Sequence, residues 1–195
     1  MKSQFRVLGA IIIISSFILS EACSHRVKVF IPETKEDGQH LLYKAFSSSN
    51  NGNDYTQGKF LYPLSGGQIV TSPFGVKRAN NRSHEGVDLK APLNTKVRAI
   101  NSGRIVLAAR LSREGLIMVI DHGLDTFSIY MHLSEVLVKE DDRVKNGQVI
   151  ALSGDTGEDV TGPHLHLGVR LEGKYVDPLI FIKIANKYRE QKGGK

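Results

Sequence analysis

The chain has 195 residues, 24% charged and 41% hydrophobic, with 26 Lys+Arg against 20 Asp+Glu. These values exclude a wholly disordered or collagen-like chain, and the length accommodates one domain of about 100–150 residues with appendages. The single cysteine excludes an intrachain disulfide, while the formal charge of +6 favours acidic partners such as nucleic acid, anionic lipid or a carboxylate-bearing polymer.

The N-terminus reads Met1-Lys2-Ser3-Gln4-Phe5-Arg6, followed by 13 mostly apolar residues from Val7 to Leu19 and small residues at Ser20 and Ala22. A short basic region, a short apolar run and a small-x-small site predict a secretory signal peptide over residues 1–22. The run is shorter than the roughly 20 residues that span a bilayer. Cys23 directly follows the expected cut. Here the segment resembles a bacterial lipoprotein signal, although Ser20 rather than Leu stands three residues before the cysteine. The expectation is an exported protein of the cell envelope or periplasm, lipidated at Cys23, with membrane contact only through that anchor.

Residues 23–58 are polar apart from Val27–Pro32 and include Ser47-Ser48-Ser49-Asn50-Asn51-Gly52-Asn53-Asp54, which reads as a flexible tether. His25 and His40 lie in it as solvated bystanders. From Phe60 the texture changes to short Val/Ile/Leu-rich runs at roughly ten-residue spacing: Lys96–Ile100, Arg104–Ala109, Gly115–Ile120, Thr126–Met131, Gln148–Leu152 and His164–Leu171. With 19 glycines and 7% aromatics, this predicts a mainly β domain over 59–185, built on an antiparallel sheet with few short helices. Pro178–Tyr188 is the predicted helix, and 186–195 a basic C-terminal tail.

Three segments inside the domain carry histidines of interest. In His84-Glu85-Gly86-Val87-Asp88, two residues four apart on a strand would sit about 13 Å apart, but a bend at Gly86 lets imidazole and carboxylate converge. In Gly162-Pro163-His164-Leu165-His166-Leu167, alternation places both imidazoles on one strand face with Cα atoms about 6.6 Å apart. One can bind a metal while the other reaches its open position. In Ser128-Ile129-Tyr130-Met131-His132-Leu133, alternation predicts that His132 shares a face with Ser128 and Tyr130. His122 reads instead as a hairpin corner. Two histidines and an aspartate leave a fourth tetrahedral position for water, the catalytic form of a zinc site. Further histidines can then move protons and stabilise an oxyanion. The chain has no His-Glu-x-x-His helix, Gly-x-Ser-x-Gly elbow or phosphate-binding glycine loop. Its basic residues are not interleaved with stacking aromatics, which disfavours nucleic acid.

From Tyr62 to Phe181 the sequence resembles lysostaphin-type (LytM-like) zinc metallopeptidases of peptidoglycan. The likeness runs through Tyr62-Pro63-Leu64, Thr71-Ser72-Pro73-Phe74-Gly75, His84-Glu85-Gly86-Val87-Asp88, Val119-Ile120-Asp121-His122-Gly123, Tyr130-Met131-His132-Leu133-Ser134, Val144-Lys145-Asn146-Gly147-Gln148 and Gly162-Pro163-His164-Leu165-His166. Gly168 stands where an acidic residue is often found. The resemblance implies a groove-bearing β fold and one zinc ion held by His84, Asp88 and His166. It also implies His164 as general base, with His132 assisting it and stabilising the tetrahedral intermediate. The implied substrate is a peptide bond of peptidoglycan stems or cross-bridges. A non-hydrolytic wall-binding regulator that activates a partner amidase is the alternative. The run Asp142–Ile150 also resembles lipoyl or biotinyl carriers, but no modifiable lysine with a recognisable flank stands at a hairpin tip.

Overall fold

The computed structural model describes residues 54, 56, 58–78, 81–158 and 160–193, with side chains as far as 190. The predicted signal peptide, Cys23, His25, His40 and nearly all of the tether lie outside the described residues.

Ten strands form one antiparallel sheet among the described residues: β1 (Val70–Ser72), β2 (Val87–Lys90), β3 (Lys96–Arg98), β4 (Gly103–Leu111), β5 (Gly115–Asp121), β6 (Thr126–Val136), β7 (Arg143–Val144), β8 (Val149–Ser153), β9 (His164–Leu171) and β10 (Lys174–Val176). The main order is β1-β2-β9-β6-β5-β4-β7, with β10 on β9 and β8 joining β3 to β6. Apolar side chains alternate onto two faces. One core gathers Leu89, Ile105, Met118, Tyr130, Leu133 and Leu165, and the other Leu107, Ile117, Val119, Phe127 and Ile129. β5 is buried at every position because both its faces are covered. Each such buried Leu or Ile contributes about 1.5–3 kcal/mol. The mainly β expectation holds.

The helix α1 (Pro178–Gly193) is longer than expected. Asp177 Oδ1 accepts from the amides of Leu179 and Ile180 at 2.9 and 3.1 Å, capping an N-terminus that Pro178 opens. Ile182 then docks α1 on the core. The helix continues to Gly193, past the expected end at Tyr188 and into the segment read as a basic tail. Asn186 clamps Phe60 through both backbone groups, at 2.6 Å to its N–H and 2.9 Å to its carbonyl.

His122 lies in the β5–β6 connection as expected, but it is fully buried. Its Nδ1–H donates to Ser102 O at 2.8 Å, which leaves Nε2 to accept from Ser128 Oγ, also at 2.8 Å. Burial pushes its pKa down to about 4, against smaller opposing contributions from Ser102 and Asp121. An unfolded histidine titrates near 6.5, so between about pH 6.5 and 4 only the unfolded chain takes this proton. Stability therefore falls as pH drops through that window. From pH 7 to pH 5 this group alone removes about 2 kcal/mol. Denaturant unfolding of the metal-free protein should show that loss, and His122→Gln should show less of it. Equal losses in both proteins would contradict the assignment.

Candidate metal centre

β2 and β9 pair so that Asp88 lies directly opposite His166, with Val87 opposite Leu167 and Leu89 opposite Leu165. The apolar members enter the core and the polar pair faces a groove of about 850 Å³. The chain bends at Gly86 and brings His84 to the same point. A Cβ on Gly86 would stand 2.5 Å from both His166 Nε2 and Leu167 O, so this position has no room for a side chain.

Three ligand atoms converge. His84 Nε2 lies 3.0 Å from Asp88 Oδ1 and 3.0 Å from His166 Nδ1, and the last two are 2.9 Å apart. All three residues are buried. His84 Nδ1 is 2.9 Å from Pro73 O, and a carbonyl can only accept, so His84 presents a bare Nε2. The corner thus gathers two imidazole nitrogens and a carboxylate oxygen with at most one proton among them, an arrangement completed by a cation. Tetrahedral donors on bonds of about 2.0–2.1 Å would be about 3.3 Å apart, close to this triangle. Burial opposes ionisation of Asp88, but hydrogen bonds from His166 and the Arg78 guanidinium hold its carboxyl far below the usual range. The carboxylate is therefore charged and ready to bind.

His164 and His132 complete the cluster, with ring centroids 4.8 Å apart. His164 Nδ1–H donates to Gly162 O at 2.8 Å, and His132 Nδ1–H to Thr156 O at 2.9 Å. Each ring is left with a bare Nε2. That of His164 lies 3.8 Å from Asp88 Oδ1. Burial pushes His132 down to about 4, helped by nearby His166, so it is neutral at pH 7.

The face predicted for His132 is corrected. Between the pairs Met118↔Tyr130 and Leu116↔Leu133, β6 carries one residue more than β5, and His132 has φ +62°. This bulge reverses the alternation. Tyr130 and Leu133 both enter one core, Met131 packs toward the other, and His132 turns toward His164 and His166 instead of sharing a face with Ser128 and Tyr130. The bulge is braced by Glu114 O, which accepts the His132 N–H at 3.0 Å, and by Thr156. Gly115 lets Thr156 approach this closely, since a Cβ there would stand 2.3 Å from the Thr156 carbonyl.

Sequence reasoning missed the backbone carbonyls of Pro73, Thr156 and Gly162 that orient the rings, because a carbonyl carries no sequence signal. It also missed Arg78, whose guanidinium lies 2.7 Å from Asp88 Oδ2, and Tyr175, a groove residue whose phenol burial pushes up to about 12.

An antiparallel sheet that presents a buried two-histidine, one-aspartate corner beside two further imidazoles has the make-up of a metal-dependent hydrolase site. Residues 82–178 match the model of Peptidase family M23. Over these residues the chain carries a domain of this metallopeptidase family. It is 32% identical over 149 residues to peptidoglycan DD-endopeptidase ShyA of Vibrio cholerae, covering 74% of this chain and 33% of that protein. Among solved structures, a zinc-containing peptidase from Vibrio cholerae superposes with a TM-score of 0.58 at 33% identity, covering 62% of this chain and 39% of that one. Lysostaphin from Staphylococcus simulans gives 0.54 at 34%, covering 60% and 50%. The chain spans about a third of the length of the curated relatives it matches first.

Proposed function

We propose that the chain is a zinc-dependent endopeptidase that hydrolyses peptide cross-links or stem peptides of bacterial peptidoglycan. The observation that carries this reading is the donor corner of His84, Asp88 and His166, open to a groove beside two imidazoles with bare Nε2 atoms. The names of the similar proteins, a peptidoglycan DD-endopeptidase and lysostaphin, support the substrate class.

His84 Nε2, Asp88 Oδ1 and His166 Nδ1 would hold the ion. Zinc bound there supplies a Lewis acid that polarises the scissile carbonyl and lowers the pKa of water to about 7. His164, fixed by Gly162, takes the proton of the attacking water on Nε2 and returns it to the leaving nitrogen. His132, neutral and braced by Glu114 and Thr156, is a second station for that one proton. While His132 holds it in place of His164, its Nε2–H donates a hydrogen bond to the developing oxyanion, and the proton passes back through His164 to the leaving nitrogen. Arg82 and Arg113 line the groove and offer charge for the carboxylates of stem peptides.

In this reading residues 59–185 form the catalytic unit. Residues 1–22 direct export and residues 23–58 tether the domain to a lipid at Cys23, placing it in the envelope with its substrate. Purified protein loaded with zinc should solubilise dye-labelled sacculi, lose that activity to a chelator and regain it with added zinc. A regulator of a partner amidase would release nothing by itself under any of these conditions.

A further inference from the structure

The two oxygens of Asp88 have different partners. Oδ1 faces the donor corner, 3.0 Å from His84 Nε2 and 2.9 Å from His166 Nδ1. Oδ2 accepts from Arg78 Nη2 at 2.7 Å, and the same nitrogen reaches Ser72 Oγ at 3.2 Å. Arg78 stands on a backbone hairpin that ends in a corner residue: Gly75 N–H donates to His84 O, His84 N–H to Val76 O, and Arg78 N–H to Arg82 O. Its position is therefore tied to the backbone of His84, on the opposite side of the carboxylate from the other two donors.

We propose that Arg78 is a positioning residue that occupies Asp88 Oδ2, restricts this carboxylate to ligation through Oδ1 alone, and so keeps a coordination position open beside His164. The inference rests on the reading of His84, Asp88 and His166 as metal ligands. An aspartate can bind a cation through one oxygen or two. Three single donors leave a tetrahedral ion one position for water, whereas a chelating Asp88 would add a fourth protein donor and crowd it. The bland alternative is an ordinary surface ion pair. The Arg78 side chain is 44% exposed, and such pairs contribute about 0–1 kcal/mol to stability. Asp88 is only 10% exposed, however, and its partner is placed by a hairpin rather than by chance contact. On this account Arg78 matters little for folding and much for the shape of the site. A lysine would keep the charge but lose the planar donor geometry that meets a carboxylate edge.

Cobalt(II) reports coordination directly, because its visible absorption is intense when four-coordinate and weak at higher coordination number. With the full chain loaded with cobalt, Arg78→Met should keep one metal per domain and nearly the wild-type melting temperature, yet lose severalfold in absorption. With zinc, its kcat should fall about 10–100-fold while KM changes less. Arg78→Lys should recover part of both, and it also serves as the working comparison if Arg78→Met does not fold. The absorption requires no substrate, so it reads the carboxylate independently of any hydrolysis. A cobalt spectrum unchanged in both variants would overturn the proposal. Failure of the wild-type chain to take up cobalt or zinc would overturn the ligand reading beneath it.

Discussion

His166→Ala is expected to abolish metal binding and hydrolysis together. His166 supplies Nδ1 to the corner from the middle of a paired strand, opposite Asp88 on one side and Met131 on the other. No described residue outside His84, Asp88 and His166 completes such a group. Two donors remain after the substitution, and two bind zinc far more weakly than three. Because Ala retains strand geometry and Leu165 and Leu167 still fill the core, the protein should remain folded. Metal analysis after dialysis should find the variant close to empty, with activity on sacculi at background. A variant that keeps stoichiometric zinc would show that the corner is not the metal site.

His164→Ala should have the opposite metal phenotype. Its ring lies beside the corner but outside the triangle, with Nε2 3.8 Å from Asp88 Oδ1 and Nδ1–H spent on Gly162 O. Zinc should stay near one per domain while the rate falls about 10²–10⁴-fold, the usual scale for removing a general acid–base group. The contrast between the two variants separates holding the metal from moving the proton. Near-wild-type turnover in His164→Ala would assign the proton transfer elsewhere, with His132, 4.8 Å away between ring centroids, the next group to test.

Much of this arrangement was legible in the sequence, for identifiable reasons. The alternating His164-Leu165-His166-Leu167 run is a strand signature, and β9 spans His164–Leu171 as read. The long hydrophobic strands β4, β5 and β6 announce themselves because both faces of the sheet are covered and many successive residues are apolar. β1, β2, β7 and β10 have only two to four residues, too few for any period to show. The bend at Gly86 was readable, but its cause is steric: the glycine makes room for the His166 ring. The bulge at His132 was not readable, since one extra residue reverses the alternation without altering composition. Arg78 was hidden because its role depends on a hairpin folding back toward Asp88, a relation that the ten-residue separation does not show.

The pH behaviour distinguishes scaffold from site. His122 is buried by the fold, and its suppressed charge weakens the metal-free protein in acid. His132 is likewise held neutral by burial, but it lines the groove beside His164 and His166 instead of packing inside the core.

The most direct test of the central claim is mass spectrometry of sacculi digested by the zinc-loaded protein. The account predicts that peptide-cross-linked muropeptide dimers disappear, with monomers bearing newly freed amino and carboxyl ends in their place, and that chelation prevents the change. Dimers left intact under conditions where the protein is folded and fully metal-loaded would contradict it.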